Sequence, residues 1–210
     1  MANTLSQTRL YHASQIGDVL RIARERASKP EHRTKQRMAE ELGITVARLT
    51  RIEEGTAQVP LELAIQWCQI VNDHTALAKV RHIWGLDLPA TNPLLQEDML
   101  SQLINFRRQA TQAIEAIAGL LDISVQLRPG DNVTERFGKE LYEHAEEILD
   151  MKQATESLLT SLSLNWGLDR EKLRRSWTQE ALADGVLVTS VSHYEEIKKE
   201  QFFSERAASL

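Results

Sequence analysis

The chain has 210 residues, 42% hydrophobic and 26% charged, which suits two small domains with cores of their own. Its formal net charge is −5, but residues 1–84 carry a net of +3 and residues 85–210 a net of −8, so only the first part offers a surface for phosphate. One cysteine excludes an intrachain disulfide, and the lack of a signal-peptide core at Met1–Arg9 or of any bilayer-length apolar segment predicts a cytoplasmic protein without membrane contact.

Apolar periodicity predicts helices almost throughout. A first helix covers about Ile16 to Ala27, with Ile16, Val19, Leu20 and Ala23 on one face and Arg21, Arg24 and Arg26 elsewhere; Ser28-Lys-Pro30 interrupts it. A second runs from about Thr34 to Leu42, with Thr34 as N-cap and Gly43 as the stop. Thr45 can cap a third, Val46 to Glu53, which Gly55 ends. Pro60 opens a fourth that reaches Val71, and a fifth spans about Ala76 to Trp84. Cys68 sits in the apolar run of the fourth helix and reads as a buried structural thiol. Residues 85–93, with two prolines and a glycine, predict a linker between a domain at 1–84 and another at 94–210.

Beyond the linker the predicted helices lengthen. Leu95, Met99, Leu103, Phe106, Ala110, Ile114, Ile117 and Leu121 form an apolar stripe of seven-residue period. After a turn at Arg128-Pro-Gly-Asp131 comes a partner stripe of Phe137, Leu141, Ala145, Ile148, Met151, Leu158 and Leu162, which predicts an antiparallel helical hairpin. Asp169 can cap a further helix that ends at Gly185, and a last helix centres on Tyr194, Ile197 and Phe202. Gly185 to Val191 is β-like but too short to support a sheet alone. Trp67, Trp84, Trp166 and Trp177 all fall within apolar periodicity and are expected in cores.

Residues 34–55 carry the strongest functional signal. Two short helices meet through Gly43-Ile-Thr45; Ala39 permits a close crossing, Gly43 the sharp turn, and Ile44, Leu49 and Ile52 pin the second helix. Together Thr34-Lys-Gln-Arg-Met-Ala39, Leu42-Gly-Ile-Thr45, Ile52-Glu-Glu-Gly55 and Pro60 resemble the XRE, or lambda-repressor-like, family, with the likeness covering residues 16–71. It departs from the family in having Lys35 where a phosphate-binding Gln is usual, and in a longer loop that puts Arg33 at a commonly apolar place. The resemblance implies an all-α chain: a five-helix DNA-binding domain, here followed by a helical hairpin or bundle.

By position it implies a recognition helix starting at Thr45. Val46, Ala47, Thr50 and Arg51 would face base edges, with Arg51 reading guanine and Val46 and Ala47 offering contact to a thymine methyl. Arg48 would contact phosphate, and Lys35, Gln36 and Arg37 would clamp the backbone, while Glu53 would bond within the domain. The implied partners are double-stranded operator DNA and a second copy of the chain, since one recognition helix buries little DNA. The surplus apolar stripes nominate the second domain as the dimer interface, where a regulatory protein or peptide can also act.

Other chemistries are poorly represented. Glu143, Glu147 and Asp150 share one side of a helix and faintly resemble the acidic helices of all-α nucleotide pyrophosphohydrolases of the MazG kind. The facing stripe offers only Glu97, Asp98 and Glu115, without matching spacing, so a solvated acidic face is the simpler account. No histidine has a metal-ligand companion, and no phosphate loop or nucleophile elbow occurs. A regulator without catalytic residues, metal or cofactor is therefore expected. The alternative is an antitoxin-like interaction module with an autoregulatory DNA-binding head.

Overall fold

Threonine and aspartate side chains mark where helices begin. Thr34 Oγ1 accepts from the Arg37 amide at 3.3 Å, and Thr45 Oγ1 from the Arg48 amide at 3.2 Å. Asp73, Asp98 and Asp169 accept from Ala76, Leu100 and Lys172 at 2.8, 3.1 and 2.9 Å. Each bond satisfies a first-turn N–H that the helix itself leaves unpaired. The computed structural model describes residues 10–208, so Met1–Arg9 and 209–210 lie outside the described residues. It contains α1 (Ile16–Glu25), α2 (Lys35–Glu41), α3 (Val46–Glu53), α4 (Leu61–Ile70), α5 (His74–Ile83), α6 (Met99–Gln126), α7 (Val133–Trp166), α8 (Arg170–Ala183) and α9 (Val191–Ala208).

The protein is all-α, with no strand among the described residues. The β-like run Gly185–Val191 is accordingly corrected. The Val186 and Leu187 amides donate to Ala181 O at 2.8 and 3.1 Å, and Val191 enters α9. With no second strand to pair with, those amides close the end of α8 instead. No helix among the described residues is long and apolar enough to cross a membrane.

Two compact units divide the chain, residues 1–161 and 162–210. The first begins with α1 to α5 packed on Leu20, Met38, Leu49, Ile52, Trp67 and Val80, all essentially inaccessible. Each such aliphatic side chain contributes about 1.5–3 kcal/mol by leaving water. Cys68 lies in the same core, and burial pushes its thiol up, so it stays protonated and unreactive. Gly43, at φ +63°, makes the left-handed turn that releases the chain from α2 toward α3.

Residues 85–93 lie within the first unit, held against α7. The Gln153 amide donates to Pro89 O at 3.1 Å and to Thr91 Oγ1, and Lys152 Nζ stands 2.8 Å from Asp87 Oδ1. Partial burial works against the Asp87 charge, but hydrogen bonds from Lys152 and the Leu88 amide outweigh it and hold the carboxyl below its usual range. A lowered folded pKa stabilises above the unfolded value of about 4 and is lost as pH falls through the folded one. Asp87→Asn should therefore lower the urea midpoint at pH 6, and the difference should shrink as pH falls below about 4, a comparison that chemical denaturation across that range would make.

The hairpin of α6 and α7 exists, but its seam differs from the expected stripe. Gln102, Ala113, Ala116 and Ile123 of α6 are buried, with Ala154, Ser157, Thr160 and Ser161 of α7. Met99, Phe106 and Ala110 are half-buried, whereas Leu95, Leu103, Ile114, Ile117 and Leu121 are exposed, as is Ile148 on α7. Alanines and short hydroxyl side chains share the covered positions with the longer Gln102 and Ile123, while most of the large apolar side chains of α6 lie on its other faces. A strict seven-residue stripe also drifts by about 20° per heptad on a straight helix, so it does not stay on one seam.

In the second unit, the end of α7 from Leu162 is followed by α8 and α9. Asp169 caps α8, and among the described residues of this unit only Ala181 is buried. Trp166 and Trp177 are exposed, which corrects their expected place in a core. A unit this small has too little surface to enclose an indole. Trp67 is buried, and Trp84 packs on the first unit's core.

Candidate nucleic-acid interface

The far end of α3 is clamped. Leu49 and Ile52 point into the core, and Glu53, 1% exposed, takes a two-pronged bond from Arg24 of α1. Arg24 Nε reaches Glu53 Oε1 at 2.5 Å and Nη2 reaches Oε2 at 3.1 Å, while Nη1 donates to Arg33 O. Charge-assisted, planar pairing of this kind fixes orientation as well as distance. Gly17 completes the clamp: a Cβ there would lie 2.4 Å from Ile52 O, so only glycine lets the start of α1 rest on the backbone of α3. Glu53 thus bonds within the domain.

The near end of α3 is open. Thr45 is exposed, its hydroxyl capping the helix, and Val46, Ala47, Arg48 and Arg51 are exposed with it. Among the described residues, neither the Arg48 nor the Arg51 guanidinium has an ion-pair or hydrogen-bond partner. Thr50 is half-buried, and its hydroxyl accepts from Lys35 Nζ at 3.2 Å. Lys35 Nζ also lies 3.4 Å from Glu53 Oε2, so this cation bridges α2 and α3. Gln36 is exposed. Arg37 is paired with Glu40 at 2.9 Å and Glu41 at 2.5 Å; the Glu40 hydrogen bond, then the Glu41 charge, raise its pKa.

The nine expected contact residues therefore share the α2–α3 end of the domain but differ in readiness. Arg48 and Arg51 carry unpaired charge, Val46 and Ala47 present apolar surface, and Lys35 and Arg37 must each give up an internal partner to meet phosphate. Pairing at exposed sites is worth only about 0–1 kcal/mol, so Arg37 exchanges its carboxylates at little cost. Lys35 is different because its carboxylate partner is buried.

Periodicity assigned Gly17 no role and set Arg24, with Arg21 and Arg26, off the apolar face of α1; the structure corrects the latter, for Arg24 is buried with the core residues and paired with Glu53. The signal for Arg24 was present: Leu20, Ala23, Arg24 and Ala27 fall on one helical stripe, all buried, so a charge in that stripe needed a buried partner. Glu143 is exposed and stands 3.6 Å from Lys139, Glu147 is half-buried, and Asp150 is exposed. Among the described residues no group of three acidic, histidine or cysteine side chains is placed to hold a metal ion.

Compared with models of protein families, with curated proteins and with solved structures, the chain matches none of them.

Proposed function

We propose that the chain is a sequence-specific DNA-binding transcriptional regulator of the XRE, lambda-repressor-like kind, acting as a dimeric repressor on a pseudo-palindromic operator. One observation carries the reading. The helix α3 is held rigidly at Leu49, Ile52 and Glu53, while its first turns project Val46, Ala47, Arg48 and Arg51 into solvent with both guanidinium groups unpaired. A rigid helix with a free arginine fork suits the major groove, where Arg51 can donate to O6 and N7 of guanine. The net charge of +3 on residues 1–84 supports attraction to phosphate. Two heads related by two-fold symmetry would read half-sites about one helical turn apart.

The test is selection of genomic fragments at moderate salt. Recovery of one two-fold-symmetric motif is expected, lost in Arg48→Ala/Arg51→Ala. On the selected site, Arg51→Ala should cost about 1–3 kcal/mol and relax preference at one base pair, as competition titrations measure. Arg48→Ala should weaken all sequences alike and lower the salt slope by about 1. Motif-free binding that vanishes as salt rises would overturn the operator reading and leave only phosphate attraction.

An antitoxin-like role is the second reading, favoured by the exposed Trp166, Trp177, Tyr194, Phe202 and Phe203 of residues 162–208. It predicts that a protein encoded beside this chain protects those indoles from quenching, and unchanged fluorescence on mixing would reject it.

A further inference from the structure

The outer face of α6 carries a second heptad, distinct from its seam with α7. Leu100, Ile104, Arg107, Thr111, Ile114, Ala118, Leu121 and Val125 follow one another by fours and threes, and all are exposed. The five large apolar members are 54–85% accessible. Thr111 returns its hydroxyl to Arg107 O at 3.0 Å, so its polar group is satisfied within the helix. At 1.5 Å per residue the row runs for about 38 Å, the length of a full coiled-coil seam.

We infer that this face docks on the same face of a second copy as an antiparallel, two-fold pair of α6 helices. This deepens the dimer of the proposed function by naming its surface and register. The pattern of charges selects the arrangement. A parallel pair would set Arg107 against its own copy within the seam, and like charges there repel. The antiparallel pair layers Leu100 on Val125, Ile104 on Leu121, Arg107 on Ala118 and Thr111 on Ile114 of the other copy. Arg107 then meets a small residue and can extend to water.

The same register aligns the flanking row of Ser101, Arg108, Glu115 and Asp122, all exposed. Arg108 of each copy faces Glu115 of the other, so the two-fold axis makes the ion pair twice. Among the described residues Arg108 and Glu115 have no ion-pair partner within the chain; Arg108 donates only to Asn105 Oδ1, at 3.2 Å. A closed, self-complementary patch of this kind ends at the dimer.

Cysteine pairs test the register in the full chain, because Cys68 is buried. Ile104→Cys/Leu121→Cys should oxidise to a covalent dimer. The two positions lie about 25 Å apart along one helix, too far to join within a chain. Ile104→Cys and Leu121→Cys alone should each stay monomeric on a non-reducing gel. Sedimentation adds a test that leaves the apolar row intact. Arg108→Glu and Glu115→Arg should each weaken self-association about tenfold, since two pairs change sign, while the two variants mixed should pair with each other. A monomer at 100 µM, a covalent dimer from Ile104→Cys alone, or failure of the mixed variants to pair would overturn the proposal. All are read without DNA: operator binding by a chain that fails them would spare the regulator reading, and a dimer that selects no operator would reject that reading alone.

Discussion

Glu53→Ala should destabilise the first unit by about 3–5 kcal/mol, the cost of leaving one member of a buried ion pair without the other. Arg24 is 7% exposed at its side chain and Glu53 1%, so neither can turn to water when its partner goes. Arg24 would keep its bond to Arg33 O and the exposed Glu25 carboxylate at 3.5 Å but lose both Glu53 oxygens, and Lys35 would lose the same anchor. The shift in urea midpoint measures the effect, and a change below 1 kcal/mol would show that the pair is not closed in solution. Replacing both members, as Arg24→Met with Glu53→Leu, should cost less than either single loss, because no unpaired charge remains. If α3 reads DNA as proposed, affinity should fall with Glu53→Ala although the carboxylate faces inward, since the end of α3 is then no longer oriented.

Gly17→Ala should also destabilise, by about 1–3 kcal/mol, despite the helix preference of alanine. The two effects oppose each other. Alanine gains up to about 1 kcal/mol over glycine inside a helix, and less in a first turn. Against that, its Cβ would meet Ile52 O at 2.4 Å and Glu53 O at 2.9 Å, backbone atoms that cannot move without shifting α3. Overpacking therefore wins. Gly138→Ala in α7 is the steric control: its nearest neighbour is Thr134 Cγ2 at 3.9 Å, so no overpacking arises, and because it follows the non-helical Phe137 (φ −126°, ψ 17°) rather than lying mid-helix, stability should change by less than about 0.5 kcal/mol. Thermal melts should fall for Gly17→Ala and stay close to the parent for Gly138→Ala; a Gly17→Ala chain as stable as the parent would mean that α1 does not rest on α3.

Much of the fold was legible in the sequence because it depends on neighbours along the chain. Thr34, Thr45, Asp169 and Gly43 act over three or four residues, and their caps and turn stand where their types predict, with α3 at Val46–Glu53 as expected. Glu53 was rightly placed inside the domain. The candidate interface was legible as a set of positions but not in its state of charge, because Lys35 and Arg37 meet Glu53, Glu40 and Glu41 only once side chains are built.

Sequence by itself determined the all-helical class, the order of the helices and the open face of α3, since capping chemistry and apolar period are local properties. Only the tertiary structure decided which apolar stripe of α6 is covered. Ala113, Ala116 and Ile123 are buried at the α7 seam, whereas Ile114, Ile117 and Leu121, just as apolar, remain outside. Periodicity counts apolar residues on a face but not how closely two helices can approach. Which stripe is covered depends on where α7 lies, a partner distant along the chain, and the covered positions mix Ala113, Ala116, Ser157 and Ser161 with Gln102 and Ile123.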